Sequence, residues 1–338
     1  MRENHRIRHR LLLVALLAIV AAAAVAKIAL ARESASLGTG VVTITTRLAY
    51  QGGRAAGTGM VITPSGEVLT NNHVIAGATS VRVSVPGTAR SYAAIVVGYD
   101  VRDDVALLRL LRASNLRTVS TTSANLSLGQ RVTAVGNAGG SGALSSASGR
   151  ITGLGRTITA RDDQGGSETL RGLIETNAGV VAGDSGGPLL DANGKVVGMV
   201  TAASTTGTFG FPQNTPASDA YAVPVARALR IADAIAAGRS STAVHVGPTA
   251  FLGVQLGSLD NGAAGALIVR VVPGGAADAA GLVAGDVITR VAGRAVTSPG
   301  QVAALVRAKK PGARIAIRYL GQAGAHTATV RLGTGPPQ

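Results

Sequence analysis

A chain of 338 residues with 46 glycines and no cysteine is long enough for two domains, whose cores must hold without disulfides or thiolate metal sites. Its 32 basic residues against 17 acidic ones give a formal charge of +15, which raises the question of nucleic acid. The arginines are scattered singly, aromatics make up 2% of the chain, and no zinc-finger, RRM or helix-turn-helix pattern occurs, so the expectation is no nucleic acid and a basic surface suited to an anionic membrane or cell wall.

Residues 1–10 carry Arg2, Arg6, Arg8 and Arg10, and residues 11–31 are apolar except for Lys27. As a helix that segment would measure roughly 31 Å, enough to cross a bilayer. The positive-inside rule then puts 1–10 in the cytoplasm and everything after Ala31 outside. The favoured expectation is an uncleaved membrane anchor. The alternative is a cleaved signal peptide and secretion, because Ala24-Val25-Ala26 resembles a cleavage site.

After a short spacer at 32–40, short β-like runs alternate with turns. They are Val41 to Thr46, Gly57 to Ile62, Glu67 to Thr70, Val81 to Val85 and Ala93 to Val97, with Thr63-Pro64-Ser65-Gly66 and Pro86-Gly87 as breakers. Such regular short strands predict a sandwich or barrel. A helix is expected from Val223 to Ala237, ended by Gly238. Gly139 to Gly149, Ala160 to Ser167 and Thr205 to Ala217 read as loops.

Three features carry chemistry. His73 follows an apolar strand and is the only histidine between residues 10 and 244, so a metal role is not expected. Asp100, Asp103 and Asp104 precede the apolar run Val105 to Leu108; the first two suit a solvated turn, whereas Asp104 abuts the strand and could orient an imidazole. Gly183-Asp184-Ser185-Gly186-Gly187-Pro188 flanks a serine with bare backbone, so the amides of Gly183 and Ser185 can converge on an oxyanion. The same hexamer fits the G-x-S-x-G elbow of α/β-hydrolases, which leads straight into a helix. Here Asn193-Gly194 between two apolar runs predicts a hairpin instead. The chain order His73, Asp104, Ser185, at intervals of 31 and 81 residues, is that of chymotrypsin-type enzymes. A secreted esterase using Ser185 with Asp219 and His245 is disfavoured, His245 lying in a segment that reads as an exposed linker.

Residues 41–335 resemble the HtrA/Deg family of serine proteases through Gly57-Thr58-Gly59, Leu69-Thr70-Asn71-Asn72-His73-Val74, Asp104 to Leu108, Ala134-Val135-Gly136-Asn137 and the Ser185 hexamer. The resemblance implies a mainly β chain, with a trypsin-like double β-barrel protease domain at 41–237, a linker at 238–249, and a small α+β PDZ domain at 250–335 behind the transmembrane helix. It implies that His73, Asp104 and Ser185 form the triad, with Gly183 in the oxyanion hole and no cofactor or metal. Val180, Thr201 and Ala203 would line an uncharged S1 pocket for small or medium apolar residues. Leu252, Gly253 and Val254 would hold a peptide's terminal carboxylate, beside a helix starting near Ser298-Pro299 with Val302, Leu305 and Val306 on one face. Two departures stand out. Asp184 replaces the family's usual asparagine, and Tyr50 is the only aromatic in 41–60, where the family builds its trimer contacts, so a homo-oligomer stays open.

The expected function is a cell-envelope serine endopeptidase that cleaves misfolded or exposed polypeptides, with C-terminal peptides as partners of the PDZ groove. The alternative is an envelope chaperone or scaffold that binds peptides with little turnover.

Overall fold

The computed structural model describes residues 38–50, 52–161, 167–205, 208–209, 219–259 and 263–337. The expected membrane segment 11–31, its basic flank and most of the spacer lie outside the described residues. Among the described residues no helix is long and apolar enough to cross a membrane.

Six strands form the first barrel: β1 (Val41–Leu48), β2 (Gly53–Val61), β3 (Glu67–Thr70), β4 (Ser80–Ser84), β5 (Ser91–Asp100) and β6 (Val105–Leu110). They run in the order β5-β4-β1-β2-β3-β6, and β6 pairs back onto β5. Alternation drives closure: Val42, Ile44, Val68, Val83 and Leu108 all point into one buried cluster. The one-turn helix α1 (Asn72–Ile75) follows β3 directly.

The second barrel repeats the plan with β7 (Arg131–Gly136), β8 (Ser145–Arg161), β9 (Ser167–Thr176), β10 (Pro188–Leu190), β11 (Val196–Thr205), the short β12 (Thr208–Phe209) and β13 (Asp219–Pro224). The order is β10-β7-β8-β9-β13-β11, closed by β10 against β11 around Val132, Ile174, Leu189 and Val200. The Asn193-Gly194 hairpin joins β10 to β11 as expected, with Gly194 at φ +71. Helix α2 (Val225–Ala236) buries Val225, Ala228, Ala232 and Ile235 on one face.

The expected loop at 139–149 is corrected. Ser145 to Gly149 belong to β8 and pair with β7, where Thr133 and Ser148 share a side-chain hydrogen bond of 3.2 Å. Glycine and serine have weak strand propensity, and cross-strand pairing overrides it. In the other two expected loops, Ala160 and Arg161 end β8, Ser167 starts β9, Thr205 ends β11 and Thr208–Phe209 form β12, while residues 162–166, 206–207 and 210–217 lie outside the described residues.

The expected linker is also more than a tether. Within it, β14 (Val244–Val246) adds to the first barrel beside β5. Next, β15 (Thr249–Phe251) pairs with the last strand, β22 (Gly333–Gly335). Between them stand β16 (Val254–Gly257), β17 (Ala266–Val271), helix α3 (Ala276–Ala279), β18 (Val287–Val291), β19 (Arg294–Ala295), helix α4 (Pro299–Arg307), β20 (Arg314–Gly321) and β21 (Gly324–Arg331). The sheet order is β16-β17-β18-β20-β21, with β19 on β18. Helix α4 starts on Pro299 and packs Val302 and Val306 into a core with Ile288, Ile317 and Val330, with Leu305 half-buried beside them.

Candidate active site

The antiparallel register of two strands assembles the first half of the site. Thr70, at the end of β3, lies opposite Ala106 near the start of β6. Residues leaving β3 therefore meet those entering β6. His73 sits on α1 and Asp104 on the turn before β6. The Asp104 carboxylate accepts the backbone N–H of His73 at 2.9 Å on Oδ1, and Oδ2 lies 2.8 Å from His73 Nδ1. The hydroxyl of Thr201 donates to the same Oδ2 in a short hydrogen bond. The Asp104 carbonyl accepts from Asn71 Nδ2 at 2.8 Å, and the side chain is 5% exposed. Asp104 adopts φ +52, a left-handed conformation that short polar side chains tolerate and that aims this carboxylate back at α1.

In the turn that sets this geometry Asp100 is buried, not solvated as expected, whereas Arg102 is exposed. Asp100 is 2% exposed, and its Oδ1 accepts the Asp103 N–H at 3.1 Å. Burial raises its carboxyl above the ordinary range, with the Asp103 amide pulling the other way. Asp103 is half-exposed and ion-paired to Arg227 of α2 at 3.3 Å, so Asp104 and not Asp103 faces His73.

The second half is the loop from Ala178 to Gly187. Asp184 N donates to Val181 O at 3.1 Å, while Val181 N donates to Asp184 Oδ2 at 2.9 Å, closing a tight turn through Gly183. Gly183 has φ +97, and a Cβ there would lie 2.2 Å from Asn137 O. At Gly186, φ +82, a Cβ would meet Thr58 O at 2.1 Å. Only glycine fits either position. Among the described residues, the amides of Gly183 and Ser185 donate to no protein acceptor, leaving two N–H groups free on either side of Asp184. The Ser185 residue is 3% exposed.

Thr58 ties the halves together. Its N–H donates to Ser185 O at 2.8 Å, its hydroxyl donates to Gly183 O at 2.7 Å and accepts from Asn137 N at 2.9 Å, and its carbonyl accepts from Thr70 Oγ1 at 2.7 Å. A histidine held on one nitrogen by a buried carboxylate, and a serine whose own amide and that of Gly183 are left free, are the groups that nucleophilic acyl transfer uses.

Residues 57–199 match the trypsin-like peptidase domain family, and residues 267–319 match the PDZ domain family. The chain belongs to the HtrA/Deg family of serine proteases, with a trypsin-like peptidase domain and a PDZ domain. It is 34% identical over 293 residues to serine protease PepD of Mycobacterium tuberculosis, covering 82% of this chain and 60% of that protein. Against the periplasmic serine endoprotease DegP of Salmonella typhimurium the identity is 29% over 288 residues, covering 82% and 57%. The chain thus spans about 60% of the length of such relatives. Among solved structures, the HtrA-type protease AlgW with a decapeptide superposes with a TM-score of 0.51 at 25% identity, covering 90% of this chain and 99% of that one.

In the peptidase domain, two pocket residues read from the sequence have other surroundings. Val180 is fully buried in the second barrel's core, so it does not line an open pocket. Thr201 spends its hydroxyl on Asp104. The side chain of Ala203 lies outside the described residues. In the PDZ domain, Gly253 takes φ +80 between β15 and β16, and among the described residues the amides of Leu252 and Gly253 donate to no protein acceptor. Val254 pairs with Val271. His245 is half-buried, not exposed: its ring stacks on Tyr99 at 4.9 Å and its Nε2 lies 3.1 Å from Gly247 O, which leaves it no part in an esterase triad. Thr58 and Arg227 escaped the sequence reading as functional positions. The Gly57-Thr58-Gly59 motif marked the first without a role, and nothing local marked the second.

Asp184 is 5% exposed, and among the described residues its Oδ1, buried against Gly136, has no hydrogen-bond partner. Burial pushes its carboxyl up to about 6, only partly offset by the Val181 amide. A carboxyl whose pKa is higher folded than unfolded binds extra protons in the native state, so native stability falls as pH rises from about 4 to about 6 and stays reduced above that. Asp184→Asn should therefore stabilise by on the order of 2–3 kcal/mol at about pH 7.5 and negligibly at about pH 4. Urea unfolding at both pH values checks this; equal effects at the two would refute it. Thr58→Val keeps the shape but leaves Gly183 O and Asn137 N without their partner. It should cost about 1–3 kcal/mol of stability. Turnover should fall by more than the KM rises, and unchanged turnover in the folded variant would show that Thr58 does not position the serine loop.

Proposed function

We propose that this chain is a serine endopeptidase acting outside the cytoplasm. The observation that carries the reading is the buried Asp104 carboxylate gripping His73 through both its backbone N–H and Nδ1, across the Thr58 staple from the free amides of Gly183 and Ser185. Asp104 holds the imidazole with Nδ1–H toward Oδ2, which leaves Nε2 as the base. Ser185 Oγ attacks a peptide carbonyl and passes its proton to Nε2, and the amides of Gly183 and Ser185 receive the oxyanion. His73 then protonates the leaving amine, and water resolves the acyl-enzyme with His73 again as base. None of these steps calls on a metal or organic cofactor. The relatives' names, serine protease and periplasmic serine endoprotease, support both the activity and an envelope location.

The substrates are unfolded or exposed polypeptides. A peptide C-terminus docks as an added strand beside β16, its carboxylate on the amides of Leu252 and Gly253 with Val254 leading the strand. The apolar run at 11–31 is read as a membrane anchor with the peptidase and PDZ domains outside.

Ser185→Ala and His73→Ala should each lower kcat on a protein substrate by roughly a thousand-fold or more, because the triad works as a unit. A serine-directed fluorophosphonate should label the wild type and not Ser185→Ala. Cleavage retained at the wild-type rate in Ser185→Ala would end the proposal. The full chain should fractionate with membranes and keep residues 1–31. A mature N-terminus at Lys27 would show a cleaved signal instead.

A further inference from the structure

The solvent face of the PDZ sheet carries an arrangement that stability alone does not favour. Arg290 on β18 lies directly opposite Arg318 on β20, and Arg314 on β20 lies directly opposite Arg331 on β21. Like charges facing each other across strands destabilise a sheet. All four side chains are exposed, and among the described residues none has an ion-pair partner. Among the described residues, the Arg290 side chain donates to the Gly293 carbonyl at 3.1 Å. The strands' alternation is consistent: Ile315 and Ile317 go into the core while Arg314, Ala316 and Arg318 point out.

Arg314 and Arg318 are about 13 Å apart along their strand, and neighbouring strands are about 5 Å apart, so the four guanidinium groups spread over a flat area instead of converging on one point. The same face carries aliphatic side chains in the open. Leu320, opposite Val287, is 48% exposed, and Val269 on β17 is 50% exposed. A soluble polyanion would use the arginines and leave Leu320 and Val269 in water. Nucleic acid would also want stacking rings, and this chain is 2% aromatic. An anionic bilayer surface uses both groups, lipid phosphates pairing with guanidinium forks and the aliphatic side chains entering the interface.

We infer that this face of the PDZ sheet, centred on Arg290, Arg314, Arg318 and Arg331 with Val269 and Leu320 beside them, is a docking surface for an anionic lipid bilayer. It leaves the β16 edge, where a peptide strand would add, free. It does not depend on the peptidase chemistry.

The chain has no cysteine, so a single introduced thiol reports its own surroundings. Ala316→Cys, exposed between Arg314 and Arg318, reads the face, and Ala192→Cys, exposed on the peptidase hairpin, serves as reference. The full-length protein is mixed with vesicles of phosphatidylcholine alone, or with phosphatidylglycerol as about a third of the lipid, and modification by a water-soluble maleimide is timed. The expected result is that anionic vesicles slow the Ala316→Cys thiol roughly ten-fold or more at low salt and that added salt restores it. The Ala192→Cys thiol should stay unaffected. Changing all four arginines to glutamine should abolish the slowing while the melting temperature holds or rises, because the like-charge pairs are gone. Equal rates on both kinds of vesicle would overturn the inference. So would equal slowing at both thiols, slowing that survives the four substitutions, or protection by soluble polyphosphate without protection by vesicles.

Discussion

The site depends on one buried threonine. Thr58 uses its N–H, carbonyl and hydroxyl at once, reaching Ser185, Thr70, Gly183 and Asn137. Thr70 ends the strand that leads into His73, and Gly183 and Ser185 belong to the second barrel's loop. A residue of the first barrel thereby clamps the serine loop of the second. In a buried setting each of these groups must find a partner, since an unmade hydrogen bond there costs more than a made one gains. The junction has little freedom to slip, and acyl transfer needs that rigidity because small displacements of the reacting groups are expensive.

Around that clamp, the Asp100–Asp104 turn concentrates unfavourable features. It holds a left-handed Asp104, a buried Asp100 with a raised pKa, and an Asp103 that needs Arg227 of α2. Arg227 also donates to the carbonyl of Arg171 at 2.5 Å, so α2 links this turn to β9. Immediately before Ser185, Asp184 adds a carboxyl whose buried oxygen has no partner among the described residues. Such strain is offset by the well-packed barrels on either side and gathers at the functional site, as local conflicts commonly do.

The PDZ domain is fastened to the first barrel by several different contacts. β14 extends the sheet that ends in the Asp100–Asp104 turn, with Val244 opposite Asp100. Tyr99 stacks on His245 and shares a 3.2 Å hydrogen bond with Thr249, and Tyr50 stacks on Phe251 with ring centroids 5.2 Å apart. Phe251 leads directly into the Leu252-Gly253-Val254 loop. The lone aromatic near the start of the first barrel is thus engaged within the chain. The segment that precedes the carboxylate loop thereby pairs with β5, the strand that leads into the Asp104 turn.

The sequence by itself determined the mainly β architecture, the hairpin after Ser185, the capped helix after Pro224 and the identity of His73, Asp104 and Ser185 as the groups to watch. Those features are local: alternation, Asn-Gly turns, glycines where no Cβ fits, and the chain order of three residue types. Only the tertiary structure decided that Thr201 serves Asp104 instead of a pocket, that Val180 is core, that Asp100 is buried, and that residues 244–246 complete a sheet. It also revealed Thr58 as the staple and placed Arg290 against Arg318. Those neighbours lie far apart in the chain, from 28 residues for Arg290 and Arg318 to 144 for Asp100 and Val244. Strand pairing and barrel closure create such neighbours, and no local pattern of residue types encodes which strand lies beside which.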